Sequence, residues 1–91
     1  MAFTKEAAIE RARQDLSARI AVPAGDISET GVDDADFPDM ALGAAAEGEM
    51  SGQMITPGWR IRLRANGQAY EYRANKNQLR LYDFRGENYK V

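Results

Sequence analysis

The chain has no cysteine and no histidine among its 91 residues. The first absence removes disulfides, thiol nucleophiles and Cys-ligated zinc. The second removes imidazole ligands and every triad or proton shuttle that runs through His. Large apolar side chains are also scarce: Leu, Ile, Val and Phe together number 16, against 15 Ala. The core must therefore be thin, and a chain of this length buries only ~60% of the surface its unfolded form exposes. No run approaches the ~20 apolar residues of a membrane span. The opening Met1-Ala2-Phe3-Thr4-Lys5-Glu6 places charges where a signal core would sit. As written, the chain is expected in the cytoplasm, or outside it as a mature domain whose signal has been removed; its residues leave both open. Neither sign of charge dominates, with 12 Lys and Arg against 14 Asp and Glu, so bulk charge does not mark a nucleic-acid binder.

What charge there is lies unevenly. Residues 22–59 hold eight acidic groups and no basic one, whereas residues 60–91 hold eight basic and three acidic. In one small domain, here taken as 1–91, the acidic middle and the basic end are expected to face each other in part. Residues 5–21 read as a helix. Thr4 is the N-cap, Glu6 sits in the first turn, and Ile9, Ala12, Leu16 and Ile20 form one apolar stripe. Phe3 is placed to staple against Ala8, and Val22-Pro23-Ala24-Gly25 stops the helix. A short strand is predicted over 26–32, a long acidic loop over 33–52, and a frayed tail over 85–91.

The strongest local signal is Trp59-Arg60-Ile61-Arg62-Leu63-Arg64-Ala65, then Asn66-Gly67, then Gln68-Ala69-Tyr70-Glu71-Tyr72-Arg73-Ala74. Alternation on both sides of Asn-Gly predicts a hairpin with a two-residue turn, because both turn residues must take positive φ. That turn sets Ala65 opposite Gln68, Leu63 opposite Tyr70, Ile61 opposite Tyr72 and Arg62 opposite Glu71. A second turn at 75–78 leads into Leu79–Phe84 and sets Leu81 opposite Tyr72. The predicted fold is α+β: one N-terminal helix packed on a three- or four-stranded antiparallel meander, with Trp59, Ile61, Leu63, Tyr70, Tyr72, Leu79 and Leu81 on the helix side.

Three stretches carry a resemblance: Phe37-Pro38-Asp39-Met40-Ala41-Leu42-Gly43, Gln53-Met54-Ile55-Thr56-Pro57-Gly58-Trp59-Arg60-Ile61 and Gly67-Gln68-Ala69-Tyr70-Glu71-Tyr72-Arg73. They resemble a group of small, uncharacterised bacterial domains, often exported, with the pattern aromatic-Pro-Asp-x-x-Leu-Gly, Thr-Pro-Gly-aromatic-Arg and Gly-x-x-Tyr-x-Tyr. The similarity runs over most of the chain. Members typically carry a Cys after the Leu-Gly and another near the end of the last strand; this chain has Ala44 at the first of these positions. The resemblance implies an architecture and no activity.

Candidate chemistry fails on spacing. Read as a calcium loop from Asp34, position 5 is Pro38, position 6 is Asp39 and position 12 is Ala45, where acid, Gly and Glu are needed. Asp33, Asp34, Asp36 and Asp39 are better read as turn and solvation chemistry, with a weak irregular divalent site as the lesser alternative. Gly43-Ala44-Ala45-Ala46-Glu47-Gly48 lacks the Lys-Ser/Thr of a phosphate loop, and no Ser has a base to activate it. A glycosidase pair of carboxylates needs a sugar cleft that one helix on one sheet hardly offers. No catalytic residue, cofactor or metal site is expected, and the domain reads as non-enzymatic.

Two surfaces remain. Alternation puts Arg60, Arg62, Arg64, Arg73 and Arg80 on the face away from the helix, joined by Tyr82 and Phe84. Such a face suits a small ligand or single-stranded nucleic acid. The competing account, favoured by the acidic chain, is that Arg simply points outward and the acidic loop lies nearby. The other surface is an expected partner-facing edge where 37–43 meets Thr56-Pro57-Gly58, carried by Phe37, Met40, Leu42, Thr56, Pro57 and Gly58. There the rival account is that Phe37 and Leu42 plug the core. Met40, Met50 and Met54 read equally as satellite core or adaptable contact surface. A protein partner is the leading expectation, and a purely structural appendage is a third. One helix on an antiparallel sheet is also the layout of cystatin-like protease inhibitors, whose Gln-x-Val-x-Gly hairpin Gln53–Gly58 superficially echoes; inhibition follows by layout alone.

Overall fold

The structure is a computed structural model in which residues 3–91 are described. Met1 and Ala2, where the run read for a signal core begins, lie outside the described residues.

Helix α1 spans Lys5–Ile20. The Thr4 hydroxyl accepts the Ala7 N–H at 3.1 Å, which satisfies one of the free donors of the first turn. The helix ends on Ala21 in the left-handed region at φ 56, ahead of Pro23. The Ser17 hydroxyl donates to the Val22 carbonyl at 2.6 Å and closes that end. The buried stripe is Ala8, Ala12 and Leu16, with Ile9 and Ile20 half-buried at its margins. Small residues along it let the helix sit close to the sheet.

Five strands follow: β1 Ser28–Phe37, β2 Thr56–Ala65, β3 Gln68–Ala74, β4 Leu79–Phe84 and β5 Glu87–Lys90. They form one antiparallel sheet in sequence order, and α1 packs on it against β2 and β4. The β2–β3 turn has Asn66 at φ 51 and Gly67 at φ 76, the double positive φ of a type I′ turn. Its register pairs Ala65 with Gln68, Leu63 with Tyr70, Ile61 with Tyr72 and Arg62 with Glu71, as the alternation predicts. Leu81 pairs with Tyr72. On the helix side Ile61, Leu63, Tyr72, Leu79 and Leu81 are buried with Leu16, and the half-buried Trp59 and Tyr70 pack against them.

Three expectations need correction. First, the strand predicted over 26–32 runs on to Phe37, so 33–37 are sheet and the irregular connection is 38–55. Asp33, Asp34 and Asp36 hide this strand from a pattern reading, because on a sheet edge their carboxylates stay in water and strand formation costs them no solvation. Second, the sheet has five strands, not three or four. Residues 85–91 do not fray: Arg85 at φ 54 and Gly86 at φ 85 make a second tight turn, and β5 pairs back on β4. The half-buried Tyr89 packs on the core, and the Val91 N–H reaches the Leu79 carbonyl at 3.0 Å. Third, Phe84 leaves the Arg face. Asp83 at φ 51 makes a bulge between Leu81 and Phe84, which reverses the alternation and buries Phe84 beside Tyr70 and Tyr89 on the helix side.

Candidate functional site

The sheet face away from α1 is covered by the 38–55 connection. Phe37, Ala41, Leu42 and Ala44 are buried there, apart from the main core. Asp39 shapes the turn that starts the connection: its Oδ1 accepts the N–H groups of Ala41 and Gly43 at 2.9 and 3.0 Å. Leu42 at φ 59 and Gly43 at φ 65 then bring two carbonyls onto the sheet. Arg73 Nη1 donates to both, at 3.0 Å to Leu42 and 3.2 Å to Gly43. A Cβ on Gly43 would lie 2.6 Å from that nitrogen and would displace the guanidinium, and the positive φ also favours glycine. Further along, Arg80 donates to both carboxylate oxygens of Glu49, at 2.6 and 2.8 Å. Asn88 donates to the Ala45 carbonyl, and Gln78 to that of Met40.

The five Arg residues expected on this face are therefore divided. Arg73 and Arg80 hold the connection down; Arg73 also lies 3.6 Å above the Tyr82 ring and bonds Glu71. Arg60 is half-buried between Glu71 and the Phe37 ring. Arg62 and Arg64 remain exposed, Arg62 paired with Asp33 at 2.6 Å. Acidic middle and basic end do meet, through Asp33–Arg62, Glu49–Arg80 and Glu49–Lys90.

The expected partner edge is divided too. Phe37 pairs with Thr56, so the two segments do adjoin. Yet Phe37 and Leu42 are sealed at 1% and 0% exposure and plug the second face of the sheet. Only Met40 of the three apolar residues stays exposed. Thr56, Pro57 and Gly58 lie inside β2, opposite Phe37, Asp36 and Ala35, rather than at a hairpin tip. This leaves the inhibitor comparison to layout alone.

Two features complete the surface, and only the second escaped the sequence reading, which leaves Met40, Met50 and Met54 open between satellite core and contact surface. The large apolar residues that stand exposed, Met40, Met50, Met54 and Ile55, all belong to the connection. The other is a cleft of about 730 Å³ at the end of the sheet, lined by Asp34, Asp36, Pro57, Trp59, Lys76 and Asn77 among others. No periodicity marks it, because strand ends and a turn distant in sequence build it. Among the described residues no cluster of three or more His, Cys, Asp or Glu is placed to hold a metal ion, and no helix is long and apolar enough to cross a membrane.

Comparison with protein families gives one match, to a domain of unknown function, over residues 9–82. The chain belongs to the family DUF8738. The DUF8738 span takes in most of α1 and strands β1 to β3, and all of β4 but its last two residues. It therefore includes the connection and both of its Arg anchors. No curated protein and no solved structure matches the chain.

Proposed function

We propose that this domain is a non-enzymatic module that acts by contact with another protein, through the apolar surface of the 38–55 connection. The observation that carries this is exposure: Met50 at 97%, Ile55 at 70%, Met54 at 63% and Met40 at 51%. Apolar side chains grouped on one segment, while Leu42 of that segment and Phe37 just before it are buried, are what a contact surface leaves open. Three of the four are Met, whose flexible thioether adapts to a partner's shape. The anchors beneath support the reading. Arg73 and Arg80 fix the base of the segment, which lowers the ordering cost of binding.

The test is co-purification from native lysate with protein identification by mass spectrometry, comparing the wild type with Met54→Asp/Ile55→Asp. The expected result is a protein recovered with the wild type and lost with the variant, at an unchanged melting temperature. Recovery of the same proteins by both would overturn the reading.

A further inference from the structure

The other open surface is the free side of β1. The β2–β3 turn settles which backbone groups face it. A two-residue turn makes Ala65 and Gln68 a hydrogen-bonded pair, so alternate residues Leu63, Ile61 and Trp59 also direct their N–H and C=O groups to β3. Their β1 neighbours Val32 and Asp34, opposite Ile61 and Trp59, then direct theirs away from β2. Asp36, opposite Pro57, follows the same alternation, and Pro57 has no N–H to miss. β1 ends the strand order, and among the described residues no loop backbone bonds to Val32, Asp34 or Asp36. Three N–H and three C=O groups thus stand in a row on an open edge.

The side chains of that row fall on the helix side of the sheet. Val32 packs on the core, while Asp34 and Asp36 enter the lining of the 730 Å³ cleft beside Trp59 and Pro57. Among the described residues Asp34 pairs with one cation, Lys5 at 3.4 Å, and its side chain is 82% exposed; the cleft lining holds two carboxylates, Asp34 and Asp36, against one cation, Lys76. The edge therefore combines backbone able to pair with an extended chain, carboxylates, and an aromatic ring beside Asp34.

From this the geometry points to β1 as a docking edge for an extended, basic segment of a partner protein, which adds a sixth strand beside Val32–Asp36. Main-chain bonds to Val32, Asp34 and Asp36 supply the pairing. Alternate Lys or Arg side chains of the segment lie in the cleft against Asp34, Asp36 and the Trp59 ring. A second copy of this chain does not fit, because antiparallel pairing of two β1 edges about Asp34 sets that carboxylate against its own copy, and pairing about Ala35 sets Asp34 against Asp36. This surface is built from other residues than the one offered for protein contact above, and either can fail alone.

The experiment is an amide chemical-shift titration with a short acetylated peptide alternating Lys with Val and Thr, and with its Glu-for-Lys counterpart. Three proteins are compared: wild type, Asp34→Asn/Asp36→Asn, and Asp34→Pro. The proline removes an outward N–H and no β1–β2 bond, and edge strands accept it there. Thermal melts check that both variants fold. Expected are saturable shifts at Val32, Asp34 and Asp36 with the Lys peptide, about tenfold weaker binding in each variant, and no saturation with the Glu peptide. Absence of shifts at millimolar Lys peptide overturns the inference. So do equal affinity in all three proteins, shifts confined to Met50–Ile55, or self-association of the wild type through β1. A partner captured through Met54 and Ile55 while the Lys peptide fails to bind removes the edge and keeps the contact reading.

Discussion

Arg80 grips Glu49 with two hydrogen bonds, at 2.6 and 2.8 Å, while Arg80 itself is only 5% exposed. The two residues lie 31 positions apart. Their pairing converts a basic sheet face into the floor beneath an acidic connection. A guanidinium that deep is tolerable only if its donors are met, and Glu49, Gln78 and the Ala44 carbonyl meet them.

The pair makes stability depend on acid. Hydrogen bonding from Arg80, and then from the Ala46 N–H, holds the Glu49 carboxyl at about 2 against an ordinary 4.5. A lowered carboxylate contributes fully above its unfolded value and is lost as pH falls through the folded one. The wild type is therefore expected to lose stability between pH 4.5 and about 2 that Glu49→Gln does not lose. At neutral pH Glu49→Gln is expected to cost about 1–2 kcal/mol, discounted because water still reaches the carboxylate. Urea midpoints of both proteins at pH 7 and at pH ~3 check the sign and the size.

Tyr72 answers at the other end of the scale. Its hydroxyl is buried and donates to Asp15 at 2.7 Å, and both burial and the carboxylate push its ionisation far above 10.0. Above that pH the unfolded state loses a proton that the folded state keeps, so stability falls as pH rises. Tyr72→Phe is expected to remove this alkaline dependence and to cost about 1.5–2 kcal/mol at neutral pH. Arg19 still bonds Asp15 at 2.7 Å in that variant, so the carboxylate keeps one partner.

Gly58 has no room for a methyl. A Cβ there would strike the Ala74 carbonyl oxygen and stand 3.2 Å from the Phe37 ring. Gly58→Ala is expected to cost about 1–3 kcal/mol through strain across β2 and β3. Gly25→Ala, with nothing within 4 Å, is the matched control and is expected to melt close to the wild type.

Phe37→Ala is expected to loosen the connection without unravelling the hairpin. The ring is 1% exposed and sits under Arg60 and Arg73, so its loss costs about 3 kcal/mol. Hydrogen exchange at the Ala41 and Gly43 amides, both held by Asp39, should rise more than at Ala65 in the β2–β3 hairpin.

Exchange in the wild type also checks the ladder on β1. Val32 and Asp34 direct their N–H groups outward, whereas Asp33 and Ala35 face β2 opposite Arg60 and Gly58. The first two amides are expected to exchange faster than the second two, although all four lie in one strand.

The amino-acid sequence by itself determined the parts of this protein whose causes are local. Asn66-Gly67 admits only a tight turn with two positive φ angles, and that turn carries the β2–β3 register with it. Thr4 ahead of Lys5-Glu6 caps the helix, and the Ala12–Leu16 stripe chooses its buried face. Tertiary structure decided what depends on distant partners. β1 continues through Asp33, Asp34 and Asp36 because β2 offers a backbone ladder and the edge leaves carboxylates in water; no apolar alternation announces it. Asp83 reverses the side of Phe84 through one positive φ at a residue that strand patterns do not flag. Residues 87–90 become β5 because Tyr89 finds the core. The division of the candidate sites has the same origin. Phe37, Leu42, Met54 and Ile55 are all large and apolar; β1 pairing and the Arg73 bonds to the Leu42 and Gly43 carbonyls press the first two onto the sheet, and the other two are left in water.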